Sequence, residues 1–72
     1  MTATELFATK VGHTAGEIWQ LLDDKESLSI TEIVKMIDAP RDQIMQSIGW
    51  LARENKLTVR AEGRRKIATL LV

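Results

Sequence analysis

The chain has no cysteine, no tyrosine, one histidine, one proline and no net charge. Without cysteine there are no disulfide staples and no thiolate metal ligands. His13 alone leaves a metal site short of ligands, so neither metal nor cofactor is expected. No apolar run approaches the roughly 20 residues that a membrane span needs. The opening MTATELFATK lacks the basic lead and apolar block of a secretory signal. A cytoplasmic protein with no membrane partner is therefore expected. There is no G-x-G-x-x-G or P-loop pattern. Ser27, Ser29 and Ser47 sit in capping or surface contexts, and the carboxylates are scattered. No nucleophile, base and acid come together, so no enzyme is expected. A ligand pocket of about 300–1,000 Å³ would strain so small a core, and no small-molecule ligand is expected.

What is present suffices for one domain. The 72 residues are 44% hydrophobic, too apolar for a disordered chain. The balanced charge is unevenly distributed. Residues 1–38 hold seven acids and three bases, and residues 39–72 hold seven bases and three acids. Five bases fall within residues 56–66, against one acid. Such asymmetry has two readings: an anionic partner, or a solvated hairpin kept soluble by charge.

In VGHTAGEIWQLLDD, the residues Val11, Ala15, Ile18 and Leu22 recur at helical spacing and form one apolar face. Gly12, Gly16 and Trp19 make a second stripe beside it, and glycines at this spacing suggest close approach by a backbone or a large side chain. The helix start stays open, because Thr2-x-x-Glu5 and Thr14-x-x-Glu17 both read as capping boxes. Residues 1–10 are set apart as an N-terminal segment and 11–72 as the domain. A second helix starts at the capping box Ser29-x-x-Glu32. It ends near Asp38, read as left-handed, before Pro40. A third helix is expected from about Arg41 to Asn55, with Ile44, Ile48 and Leu51 on its buried face. Leu57, Val59 and Ala61 then alternate with polar residues as a strand does. Glu62-Gly63-Arg64-Arg65 supplies a turn, and Ile67 to Val72 returns. Pairing Ala61 with Lys66 sets Val59 on Ala68 and Leu57 on Leu70. Ile67 and Leu71 are then left on the exposed face. Residues Leu28 to Ile30 are a candidate third strand.

Three helices, the second short and tightly joined to the third, then a hairpin, read as a mainly α (α+β) winged helix-turn-helix with a C-terminal β-hairpin wing. The blocks VGHTAGEIWQLL, SITEIVKMI and IGWLARENKL resemble those of a family of small bacterial winged helix-turn-helix domains of unknown function. GWLARE followed by a strand is the more specific part, and the resemblance covers roughly Val11 to Val72. It implies the fold. The wider winged-helix class consists mostly of DNA-binding regulators, with some RNA binders and some protein-contact modules, so it implies no single activity.

In a DNA-binding reading, Arg41, Gln43, Gln46 and Ser47 face outward from the third helix toward base edges or phosphates. Arg60, Arg64, Arg65 and Lys66 line the wing and meet phosphates. If five bases neutralised phosphates, log affinity would fall with log salt at a slope of about −4.5. The reading requires these bases to share a face with the third helix and to be free of the acids of the opening half. Gly12, Gly16, Trp19, Trp50, Ile67 and Leu71 are candidates for a homodimer interface, with Phe7 a further one. The alternative is a protein–protein or dimerisation module on the same fold that leaves DNA alone. Asp42 on the third helix and the zero net charge favour it.

Overall fold

The computed structural model describes residues 2–71. The order is α1 (Ala3–Lys25), β1 (Ser27–Ser29), α2 (Ile30–Met36), α3 (Arg41–Arg53), β2 (Leu57–Glu62) and β3 (Arg65–Leu70). The three strands form one antiparallel sheet in the order β1-β3-β2. This is the winged helix-turn-helix arrangement, with β2 and β3 as the wing.

Each helix boundary has a local cause. At the start of α1, Thr2 Oγ1 accepts from the Glu5 amide at 3.1 Å, and Glu5 Oε1 accepts from the Thr2 amide at 3.2 Å. Of the two capping boxes in the sequence, the Thr2 box is the one that forms. Thr14 lies inside the helix and is buried. The helix stops at Glu26, which takes φ 71° while its amide donates to Leu22 O at 2.6 Å. At α2, Ser29 Oγ accepts from the Glu32 amide at 3.1 Å, and Glu32 Oε1 accepts from the Ser29 amide at 3.0 Å. The end of α2 differs from expectation. Ile37 caps it in extended conformation, and Asp38 is not left-handed. Ile37 is buried against the core, which holds the chain extended there.

The third helix starts after Pro40, whose carbonyl accepts from the Ile44 amide at 3.1 Å. It ends two residues earlier than the sequence suggested, because Asn55 is left-handed at φ 59°. The Lys56 amide reaches Leu51 O at 2.9 Å and the Asn55 amide reaches Ala52 O at 3.1 Å. That pair of bonds is a Schellman cap, with asparagine in the position glycine usually takes.

The hairpin register is the one the alternation implied: Leu57 pairs with Leu70, Val59 with Ala68 and Ala61 with Lys66. Ser27, Leu28 and Ser29 add β1 on the far side of β3. The core lies between the helices and one sheet face. It joins Ile18 and Leu22 of α1, Ile33 of α2, Ile44, Ile48 and Leu51 of α3, and Leu57 and Ala68 of the sheet. Ile67, expected to be exposed, is buried at 9%. Its neighbours in register are Ser29 and Arg60, one on each side. Ser29, itself buried, and the long Arg60 side chain flank Ile67 on that face.

Ile33 is fully buried at the meeting point of α2 and the rest of the core. Ile33→Ala is expected to cost about 2–5 kcal/mol, a large part of the roughly 5–15 kcal/mol that holds such domains together. Urea titration followed by circular dichroism reads the loss as a lower transition midpoint.

Candidate nucleic-acid interface

The wing turns at Gly63 and Arg64. Gly63 takes φ 65°, a conformation that costs glycine little. Directly paired residues of two antiparallel strands point to the same sheet face. Arg60 pairs with Ile67 and Glu62 with Arg65, so Arg60, Glu62 and Arg65 share the face away from the core. Lys66 pairs with Ala61 and points to the opposite face. The hairpin bases therefore do not form a single sheet of positive charge.

Two of them already hold carboxylates. Arg60 donates through Nε at 3.2 Å and Nη2 at 3.1 Å to Glu62 Oε2. Arg65 Nη2 donates to Glu32 Oε1 at 3.3 Å, an acid of the opening half. This departs from the requirement that the wing be free. Glu32 stands in the first turn of α2, and the β3–β1 register brings the start of β3 to that turn. Both pairs are exposed, and exposed pairs contribute only about 0–1 kcal/mol. A phosphate can replace such a carboxylate at modest cost. Among the described residues, Arg64 and Lys66 have no ion-pair partner.

Glu32 does two jobs with one oxygen. Its Oε1 closes the Ser29 capping box and receives Arg65. The bonds to the Ser29 backbone and hydroxyl hold its carboxyl below the ordinary value of 4.5, and Arg65 and Lys35 add to this. The capping box was legible in sequence, but the second partner was not, since it depends on sheet register.

The four candidate residues of α3 separate into two pairs. Arg41 and Gln46 are exposed. Ser47, read as outward, is fully buried. Its hydroxyl lies 3.1 Å from Val11 O of α1 and 2.7 Å from Gln43 O, and its single proton serves both. Gln43 is half-buried and donates through Nε2 to Thr14 Oγ1 of α1 at 2.8 Å. The physical reason is spacing. Ser47 follows Ile44 by three and precedes Leu51 by four, which puts it on the core face at about 3.6 residues per turn. The face turned fully outward carries Asp42, Gln46, Gly49 and Arg53, with Arg41 at its margin. One acid and one base offset each other there.

Of the interface candidates, Gly12, Gly16, Trp50 and Leu71 are exposed, Trp19 is half-buried and Ile67 is buried. A Cβ built on Gly12 or Gly16 would meet nothing within 4 Å. Close packing inside the monomer therefore does not account for either glycine.

The family model described as "Winged helix-turn-helix domain (DUF2582)" matches residues 1–70. The uncharacterized protein MJ1608 of Methanocaldococcus jannaschii is 38% identical over 63 residues, covering 85% of this chain and 90% of that protein. Among solved structures, HlyU from Vibrio cholerae N16961 aligns with a TM-score of 0.71 at 21% identity, covering 100% of this chain and 83% of HlyU. At that identity the likeness is one of fold.

Two outcomes test the roles assigned to buried and shared groups. Gln43→Ala strips the buried Thr14 hydroxyl of its partner and is expected to cost about 1–3 kcal/mol, read by thermal or urea unfolding. A surface glutamine would cost nothing measurable. Glu32 binds its proton less tightly folded than unfolded, so its stabilising effect is complete above pH 4.5 and lost as pH falls through the lower, folded value. Glu32→Gln keeps an acceptor for the Ser29 amide. In unfolding experiments its stability should fall less steeply than that of the wild type below pH 4.5.

Proposed function

The chain belongs to the winged helix-turn-helix domain family DUF2582, and from that membership we propose that it binds nucleic acid, double-stranded DNA first of all, as a small regulator of transcription. The observation that carries this reading is the wing tip. Arg64 at the turn and Lys66 on the opposite sheet face stand exposed and unpaired among the described residues, and the neighbouring Arg60 and Arg65 have carboxylate partners that are exposed and exchangeable. Phosphate contacts of this kind give affinity without sequence information.

Base discrimination, in this reading, falls to Arg41 and Gln46 of α3. Arginine can grip guanine and glutamine adenine with paired hydrogen bonds in the major groove. Gln43 and Ser47 drop out as base readers because α1 holds them. Two outward side chains make a sparse reading set. A homodimer would double it and suit a palindromic site. The reading has no place for catalysis, and it keeps the chain in the cytoplasm with its target. Among the described residues no helix is long and apolar enough to cross a membrane.

The second reading is a protein-contact module. Asp42 on the outward face of α3 and the Arg65–Glu32 pair favour it, since both reduce attraction for phosphate.

Titration of a random duplex at two or more salt concentrations separates the readings. With two free bases, log affinity should fall with log salt at a slope of about −2, steepening toward −3.6 if Arg60 and Arg65 exchange their carboxylates for phosphates. Arg64→Glu combined with Arg65→Glu should weaken binding at least tenfold. No binding at low salt would favour the protein-contact module, and binding untouched by the charge reversal would remove the wing from the site.

A further inference from the structure

The first helix begins outside the packed core. Its 23 residues span about 34 Å at 1.5 Å per residue, in a molecule measuring 41 × 23 × 19 Å. Every residue from Ala3 to Lys10 is exposed, and burial begins only at Val11. Yet the apolar stripe does not stop at Val11. Phe7, one turn earlier on the same face, continues it and stands 52% exposed. A short helical stretch without tertiary packing is marginal in water, and an exposed aromatic along it is a contact surface without its contact.

This overhang meets α3 at Trp50, itself 51% exposed. Together they enclose a groove of about 230 Å³ lined by Thr4, Phe7, Ala8, Val11, Gly12 and Trp50. No lining residue is charged. A second hollow of about 410 Å³ adjoins it across Gly12 and Trp50 and runs along α1 to Trp19. The open space at Gly12 lets a foreign ring or backbone come close to the helix.

We propose that this groove is the seat of a second copy of the same chain, with Phe7 of each protomer lodged between Trp50 and Gly12 of the other across a two-fold axis. Three observations choose this occupant. An isologous contact brings one patch against itself, and an uncharged patch does so without repulsion. The whole chain is neutral, and proteins near zero net charge lack the long-range repulsion that keeps copies apart. The area also fits. Phe7, Trp50 and the neighbouring Leu6, at 46% exposure, offer with the small residues between them on the order of 500 Å² per copy. Two copies then reach the roughly 1,000 Å² at which specific interfaces begin. The proposal deepens the homodimer part of the function proposed above. It also narrows the interface: Phe7 becomes its centre, while Ile67, which is buried, and Leu71, which is exposed but outside the groove lining, drop out.

Sedimentation equilibrium of the full chain without nucleic acid tests it, so the result does not depend on whether DNA is bound. The wild type should pass from monomer to dimer as concentration rises from micromolar to several hundred micromolar. Phe7→Glu and, independently, Ala8→Glu place a carboxylate in the groove at exposed positions. Each should raise the dissociation constant at least tenfold while the circular dichroism spectrum and melting temperature stay close to wild type. Leu71→Glu should leave the dimer intact. A wild type that stays monomeric over the whole range would overturn the proposal. So would a dimer that survives both groove substitutions, or one that Leu71→Glu breaks.

Discussion

The seam between α1 and α3 constrains everything else in this molecule. Ser47 and Gln43 reach from α3 to Val11 and Thr14 of α1, inside a core otherwise built from aliphatic side chains. Buried polar groups tolerate few alternative arrangements, because a partner lost in the interior costs more than a bond gained there returns. The seam therefore fixes the rotation of α3. That rotation turns Asp42, Gln46, Gly49 and Arg53 outward. It also puts Trp50 beside Gly12, so one pair of hydrogen bonds determines both the sparse character of the α3 surface and the apolar groove along the first helix.

A second junction ties the wing to the helix-turn-helix. Glu32 Oε1 belongs to the capping box of α2 and to the Arg65 pair at once. The acids of the opening half and the bases of the closing half are thus partly neutralised against each other at this point. A phosphate arriving at Arg65 would compete with a carboxylate already in place, and Arg60 presents the same competition from Glu62. Within the hairpin, among the described residues, the bases without an ion-pair partner are Arg64 at the tip and Lys66 on the core-side face. The wing is a weaker electrostatic surface than its composition suggests.

Local signals were the legible ones. The capping box at Ser29, the turn at Gly63 and the register of β2 on β3 each depend on a few neighbouring residues, and the structure has them where the pattern implied. The order of elements then carried the fold. What sequence did not yield were contacts set by three-dimensional neighbours. Ser47 reads as polar and outward until its spacing to Ile44 and Leu51 is taken seriously. Ile67 reads as exposed until β1 is placed on the other edge of β3. The partner of Arg65 lies 33 residues away and follows only from the three-stranded register. Asp38 looked like a helix stop by residue type, yet burial of Ile37 decided that end. The extent of the first helix was open between two capping boxes, and with it the existence of the groove at Phe7.

The central claim is that nucleic acid meets the wing tip together with the outward pair Arg41 and Gln46, and leaves the α1–α3 seam undisturbed. Amide chemical-shift mapping by nuclear magnetic resonance, with a short random duplex added at low salt, addresses it residue by residue. The expected result is a set of shifts confined to residues 63–66 and to the amides around Arg41 and Gln46, with Val11, Thr14 and Ser47 unmoved. Shifts concentrated on the first helix, or none at all at any duplex concentration, would contradict it.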